Sequence, residues 1–295
     1  MKKEEFKNRL QQSVLCLDGA TGTNMTIAGM PKGVSTEMWI LEHPEKFIGL
    51  QKAFVEAGSD VIYAPTFGAN RKALERFELG DKVTELNRKL VALSVEAAGG
   101  KALVAGDMSP TGLIPETAGG DASYEEIFDI YREQAAALYE AGVDLFVVET
   151  MMSADETMIA MDAVASVCEL PVICSFSVYS DGKCFYDGNI FEAALTLQEM
   201  GAAAVGVNCC SGPDQVESIV SNLASQLEIP VVAKPNAGMP VIDDQGNAVY
   251  DLGPEGFADG IEKLIKAGAG IVGGCCGTEA SHIAAVKKRI TGEKN

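Results

Sequence analysis

Glu140-Ala141-Gly142-Val143-Asp144 runs straight into Leu145-Phe146-Val147-Val148-Glu149-Thr150. The first part reads as the end of a helix, with Gly142 just past the last turn, where a left-handed backbone is favoured. The second reads as a short strand. It is apolar and β-branched without strict alternation, as expected for a parallel strand buried on both faces. The same join returns as Glu56-Ala57-Gly58-Ser59-Asp60, as Glu199-Met200-Gly201-Ala202 and as Lys266-Ala267-Gly268-Ala269.

Eight apolar runs follow this pattern: Val14–Asp18, Val61–Phe67, Ala102–Met108, Leu145–Thr150, Val172–Val178, Ala203–Cys209, Val231–Asn236 and Gly270–Cys275. Amphipathic stretches separate them. Phe47, Leu50, Phe54 and Ala57 share one helical face, and Tyr124 to Tyr139 forms a second such stretch. Each gap is long enough for a crossover helix. Eight strand-then-helix units predict an α/β fold, a single (β/α)8 TIM barrel over residues 1–295. A doubly wound open sheet is the competing architecture, and it would use fewer units at this length. Neither a linker nor a low-complexity tract interrupts the chain, and Thr291 to Asn295 reads as a frayed tail.

The 295 residues carry 23 Lys+Arg against 42 Asp+Glu, a net charge of −19. So acidic a surface argues against nucleic acid and anionic membranes as partners, since both require a basic face. No apolar run approaches a membrane span, and Met1-Lys2-Lys3-Glu4-Glu5 lacks the apolar core of a signal peptide. A cytoplasmic protein is therefore expected. In that reducing compartment the eight cysteines are core thiols or metal ligands rather than a disulfide framework.

In a barrel the site lies at the C-terminal ends of the strands. Those ends read Asp18-Gly19-Ala20-Thr21-Gly22-Thr23, Glu149-Thr150, Asn208-Cys209-Cys210, Lys234-Pro235-Asn236-Ala237-Gly238 and Gly273-Gly274-Cys275-Cys276-Gly277-Thr278. The glycines around Cys275-Cys276 let two adjacent thiolates turn toward one ion. Cys209 or Cys210 would supply a third sulfur from a strand two places round the barrel. Three sulfurs and an open position describe a catalytic zinc site, and soft thiolates favour Zn2+ over Mg2+. Buried core thiols are the alternative for these residues, and the better reading for Cys16, Cys168, Cys174 and Cys184. The Asp18–Thr23 turn lacks a phosphate-loop pattern and a lysine. It suits a substrate carboxylate held by backbone N–H groups, with Asp18 and Glu149 holding an ammonium group; a turn residue at Asp18 and a salt-bridged strand end at Glu149 are the alternatives. Together these describe an amino acid ligand. His43, before Pro44 at a helix start, reads as a capping or surface residue, His282 on the last helix as a surface residue, and Trp39 as a packing residue.

At these residues the sequence resembles the homocysteine S-methyltransferase family. The match extends from Leu17-Asp18-Gly19-Ala20-Thr21-Gly22-Thr23 through Thr66-Phe67-Gly68-Ala69, Glu149-Thr150, Val207-Asn208-Cys209 and Pro235-Asn236-Ala237-Gly238 to Gly273-Gly274-Cys275-Cys276-Gly277-Thr278. The flanking segments look most like the N-terminal homocysteine-binding module of cobalamin-dependent methionine synthases. The resemblance implies a zinc-dependent S-methyltransferase that activates homocysteine as a zinc-bound thiolate and methylates it to methionine. It implies Cys209, Cys275 and Cys276 as metal ligands and Asn236 as a displaceable fourth ligand. It places Asp18, Gly19, Ala20, Glu149 and Asn208 in the homocysteine site. Betaine-dependent relatives carry an aromatic residue where this chain has Thr150, which weakens that branch. The chain shows one barrel and none of the folate or cobalamin modules. The expected donor is therefore methylcobalamin on a separate corrinoid protein or module. S-methylmethionine or S-adenosylmethionine used directly, and a non-catalytic zinc- or homocysteine-binding subunit, are the alternatives.

Overall fold

The computed structural model of the chain describes residues 3–243 and 248–292. All eight apolar runs contain a strand. β1 (Leu15–Cys16), β2 (Val61–Tyr63), β3 (Leu103–Met108), β4 (Leu145–Met151), β5 (Val172–Phe176), β6 (Ala204–Asn208) and β7 (Val231–Lys234) come first. A small antiparallel hairpin of β8 (Val241–Ile242) and β9 (Ala248–Val249) follows, and then β10 (Ala269–Val272). The large sheet runs β1-β10-β7-β6-β5-β4-β3-β2, with every pair parallel. Leu17 bridges Val61, also in parallel, and brings β1 against β2. The sheet thus closes into a (β/α)8 barrel, and the open-sheet alternative falls.

The helices Pro44–Glu56, Val83–Ala98, Tyr124–Ala141, Ala154–Val167, Ile190–Glu199, Pro213–Gln226, Pro254–Lys266 and Ala280–Thr291 follow the eight barrel strands in turn. Gly58, Gly142, Gly201 and Gly268, the four recurring joins, all have positive φ, from 89° to 111°. Ser123, Ser153 and Asn189 accept backbone N–H groups at the starts of three helices. Each such cap is worth about 1 kcal/mol. Among the described residues, no helix is long and apolar enough to cross a membrane.

Two buried layers divide the strand side chains. Leu145 and Val147 pack with Leu15, Val61, Ala105, Ile173, Val232 and Ile271 in the barrel interior. Phe146 and Val148 point the other way, into the layer shared with the helices. Phe6, on the N-terminal helix Lys3–Gln12, belongs to the interior cluster and is 1% exposed. Burying it contributes about 1.5–3 kcal/mol. A third cluster, with Met25, Trp39, Ile40 and Phe47, lies beneath the long β1–β2 connection.

Several expectations need correcting. His282 is buried, not on the surface. Its Nδ1 takes the Glu279 N–H, which leaves Nε2 to meet the Leu252 carbonyl at 3.0 Å. The helix face that looked solvated in sequence packs on the segment after β9. His43 stacks on buried Trp39 at 4.4 Å and makes no side-chain cap. Of the expected frayed tail, Thr291 closes the last helix and Gly292 caps it with φ 71°. Residues 293–295, together with Met1 and Lys2 of the polar N-terminus, lie outside the described residues.

Candidate active site and metal centre

Side-chain alternation carries the interior pattern up to the C-terminal rim. From Leu145 and Val147 the next inward position on β4 is Glu149. From Ala105 on β3 it is Asp107, from Val232 on β7 it is Lys234, and on β2 Val61 leads to Tyr63. The last layer of the barrel is thus polar. These four side chains line a cavity of ≈ 250 Å³ together with Asp18, the Gly19–Thr23 turn, Glu37, Phe67, Thr150, Cys209, Cys275 and Cys276. The volume suits an amino acid rather than a nucleotide-sized cofactor.

Asp18, Asp107, Glu149 and Lys234 are each at most 7% exposed. Lys234 Nζ lies 3.6 Å from Asp18 Oδ1 and 4.6 Å from the centre of the Tyr63 ring. Asp18 Oδ2 accepts the Tyr63 N–H at 2.8 Å. Asp18 Oδ1 and Asp107 Oδ1 are buried and accept no hydrogen bond. Burial raises the Asp18 carboxyl, and Lys234 pulls it back. Burial also lifts Asp107 well above the carboxylate range, with Glu149 adding to the effect. Glu149 is pushed up to about 7, first by burial and then by Asp18 and Cys276, against the pull of Lys234. For Lys234 burial opposes the charge, but the surrounding acids outweigh it and keep the ammonium protonated. A cationic amine entering here would meet acids that gain by its charge.

Asn208 stands behind Glu149. Its Oδ1 accepts the Thr150 N–H at 2.8 Å, while its Nδ2 donates to Thr150 Oγ1 at 2.7 Å and to Glu149 Oε2 at 3.3 Å. Both ends of the amide are engaged, so Asn208 reaches the cavity through Glu149. At the glycine turn, a Cβ on Gly19 would come within 2.7 Å of Phe54. Ala20 N donates to Thr278 Oγ1 at 3.1 Å, so Thr278, just past Gly273-Gly274-Cys275-Cys276-Gly277, pins the turn.

The sulfurs of Cys209, Cys275 and Cys276 all lie within 4.8 Å of one another, with Cys209 and Cys276 3.7 Å apart. Cys209 takes φ 52°, a left-handed backbone for a non-glycine residue. That twist separates it from Cys210, which turns back into the wall. There Cys210 Sγ accepts the Val178 N–H and reaches the Asn208 carbonyl. Residue types alone left Cys209 and Cys210 equivalent, and the family resemblance chose Cys209; among the described residues the geometry brings Cys209, not Cys210, to the cluster. Hydrogen bonds from Cys209 and Cys275 pull the Cys276 thiol down. The Asn236 side chain does not face the cavity. Its Oδ1 accepts the Cys276 N–H at 3.1 Å and its Nδ2 reaches the Cys210 carbonyl. Three convergent soft donors with their shared side open to the cavity fit a zinc ion that keeps one position for substrate.

Residues 15–290 match the model of the homocysteine S-methyltransferase family. The chain belongs to that family. Methionine synthases of Mycobacterium tuberculosis and Mycobacterium leprae are each 29% identical, over 97% and 95% of this chain. The chain spans about a quarter of their length, 25% and 24% respectively. In fold it superposes on the metallated form of the Escherichia coli homocysteine methyltransferase MmuM with a TM-score of 0.80. That match is 24% identical and covers 95% of this chain and 97% of that one. Against the oxidised form of MmuM the TM-score is again 0.80, at 22% identity, with 94% and 96% covered. At such identities these structures speak to the barrel alone.

Sequence reading missed Tyr63, Asp107 and Lys234. Lys234 stands just before Pro235-Asn236 at its strand end, and Asp107 just before Met108 at the end of its run. The signal available was the two-residue period, which puts each in line with an inward apolar residue.

Proposed function

We propose that this chain transfers a methyl group to the sulfur of homocysteine, giving methionine, as one barrel spanning residues 1–295 in a reducing cytoplasm. The observation that carries this is the joining of two half-sites in one cavity: three convergent cysteine sulfurs at one end and a buried carboxylate pocket at the other. Asp18 and Glu149 receive the substrate ammonium, with Asn208 fixing the Glu149 carboxylate and Lys234 holding Asp18 in place. The Gly19–Ala20 turn faces the substrate carboxylate. Amino acid recognition then fixes the side-chain sulfur beside Cys209, Cys275 and Cys276, the residues that would hold zinc. When bound, zinc would supply acidification of a thiol whose free pKa is about 8.5, while three thiolates keep the site electron-rich. No general base is required of the protein, and none of the carboxylates is assigned that role.

The donor we favour is methylcobalamin on a separate corrinoid protein or module, in keeping with the methionine synthase alignments. The experiment is methionine formation from homocysteine by zinc-loaded protein, with methylcobalamin and S-methylmethionine in parallel tubes. Product from methylcobalamin in the wild type and none in Cys209→Ala is expected. Product from S-methylmethionine alone would reassign the donor. Wild-type rates in a zinc-free Cys209→Ala protein would overturn the metal's part. Bound zinc and homocysteine without product from either donor would leave a binding subunit.

A further inference from the structure

Strict alternation along β4 would turn Thr150 outward and Met151 back into the barrel. The strand does the opposite. Thr150 lines the cavity beside Glu149, and Met151 is buried with Phe146 and Val148 in the layer shared with the helices. The register against β5 gives the cause. Val148 pairs with Cys174 and Met151 with Phe176, so β4 takes three steps where its neighbour takes two. The extra residue makes a β-bulge, a device that re-aims side chains. Thr150 has φ 58°, a left-handed backbone that a β-branched residue rarely adopts. Two consecutive side chains, Glu149 and Thr150, therefore reach the same cavity.

The Asn208 amide holds this backbone in place. Its Oδ1 accepts the Thr150 N–H at 2.8 Å, and its Nδ2 donates to Thr150 Oγ1 at 2.7 Å and to Glu149 Oε2 at 3.3 Å. Asn208 is 1% exposed, so water does not stand in for these partners. The short bond to the hydroxyl fixes the amide, and the amide then fixes the carboxylate. Without the hydroxyl, one buried amide proton loses its acceptor and the amide is free to turn from Glu149. We propose that Thr150 is a positioning residue for homocysteine: its bulge turns Glu149 toward the substrate ammonium, and its hydroxyl locks the amide that keeps Glu149 there. The inference rests on reading Asp18 and Glu149 as the ammonium site.

Thr150→Gly removes the hydroxyl and suits the left-handed backbone, so the barrel should keep its urea midpoint. Zinc-loaded wild type and variant are titrated by calorimetry with L-homocysteine and with its desamino analogue, which keeps the thiol and the carboxylate but has no amino group. The Kd for homocysteine should rise about tenfold in the variant, while that for the analogue changes by less than about twofold. Thr150→Ser, which keeps the hydroxyl, should bind homocysteine within about twofold of wild type. An unchanged Kd for homocysteine in Thr150→Gly overturns the inference. An equal loss on both ligands also overturns it, since Thr150 would then be merely structural, and so does a serine variant as weak as the glycine one. Should Thr150→Gly hold no metal, Thr150→Ala serves instead, with the same expectations and the same refutations. Wild type that binds homocysteine no more tightly than the analogue would overturn the ammonium-site reading and the inference with it. Discrimination in wild type that survives intact in Thr150→Gly would overturn the inference alone.

Discussion

Lys234→Met removes a positive charge from the acidic end of the barrel. Lys234 and Asp18 are 5% and 1% exposed at their side chains, so water does little to screen them. At their separation of 3.6 Å and an effective dielectric constant of about 20, their attraction is 332/(20 × 3.6), or about 4.6 kcal/mol. Deleting one member of a buried pair costs about 3–5 kcal/mol, because the other is left charged and unpaired. Asp18 has one escape, which is to take up a proton. Its carboxyl is already raised by burial and restrained by Lys234. Without Lys234 it rises further, as do Asp107 and Glu149, which Lys234 also lowers. An acid whose folded pKa lies above its unfolded value contributes stability at low pH and loses it as pH climbs through the folded pKa. The gap between wild type and variant must therefore widen from about pH 5 to about pH 8. Urea unfolding followed by far-ultraviolet circular dichroism at both pH values measures it. A loss below about 1 kcal/mol, or a gap that does not change with pH, would refute the reasoning.

Homocysteine binding to metal-loaded protein, followed by calorimetry, should weaken as pH falls, since burial raises the Glu149 carboxyl and the protonated acid no longer attracts an ammonium. Glu149→Gln should flatten that dependence, and a persisting slope would assign it elsewhere. Asn208→Ala frees the Glu149 carboxylate and should raise the Kd for homocysteine about tenfold while zinc content by mass spectrometry stays constant. Equal loss of both would make Asn208 a general structural residue. Gly206→Ala places a Cβ 1.9 Å from the Val232 carbonyl oxygen, inside the barrel wall where neither strand can yield. It should cost at least about 3 kcal/mol in thermal or urea unfolding; near-wild-type stability would mean the wall is looser than drawn.

The barrel was legible because parallel strands are apolar throughout and glycine marks the helix ends. Gly58, Gly142, Gly201 and Gly268 are identical signals in four places, and each has the backbone they predict. The cysteines were legible as a group, since Cys275-Cys276 stands at a strand end. The choice between Cys209 and Cys210 was legible only through the family resemblance, because in the fold it depends on one left-handed residue. Lys234 and Asp107 escaped notice because inward and outward positions on a strand look alike until the sheet closes. Asn236 is at the expected strand end, but its amide is turned onto Cys276 N by the path of the following loop. His282 looked solvated because the segment it packs on, around Leu252, comes from a connection with no clear sequence pattern.

The central claim is that substrate sulfur joins the three cysteine sulfurs at one metal. X-ray absorption at the zinc edge, with and without L-homocysteine, tests it most directly. Going from three sulfur neighbours to four on addition of homocysteine, and staying at three with methionine, is the predicted result. A sulfur count that homocysteine leaves unchanged would contradict the account.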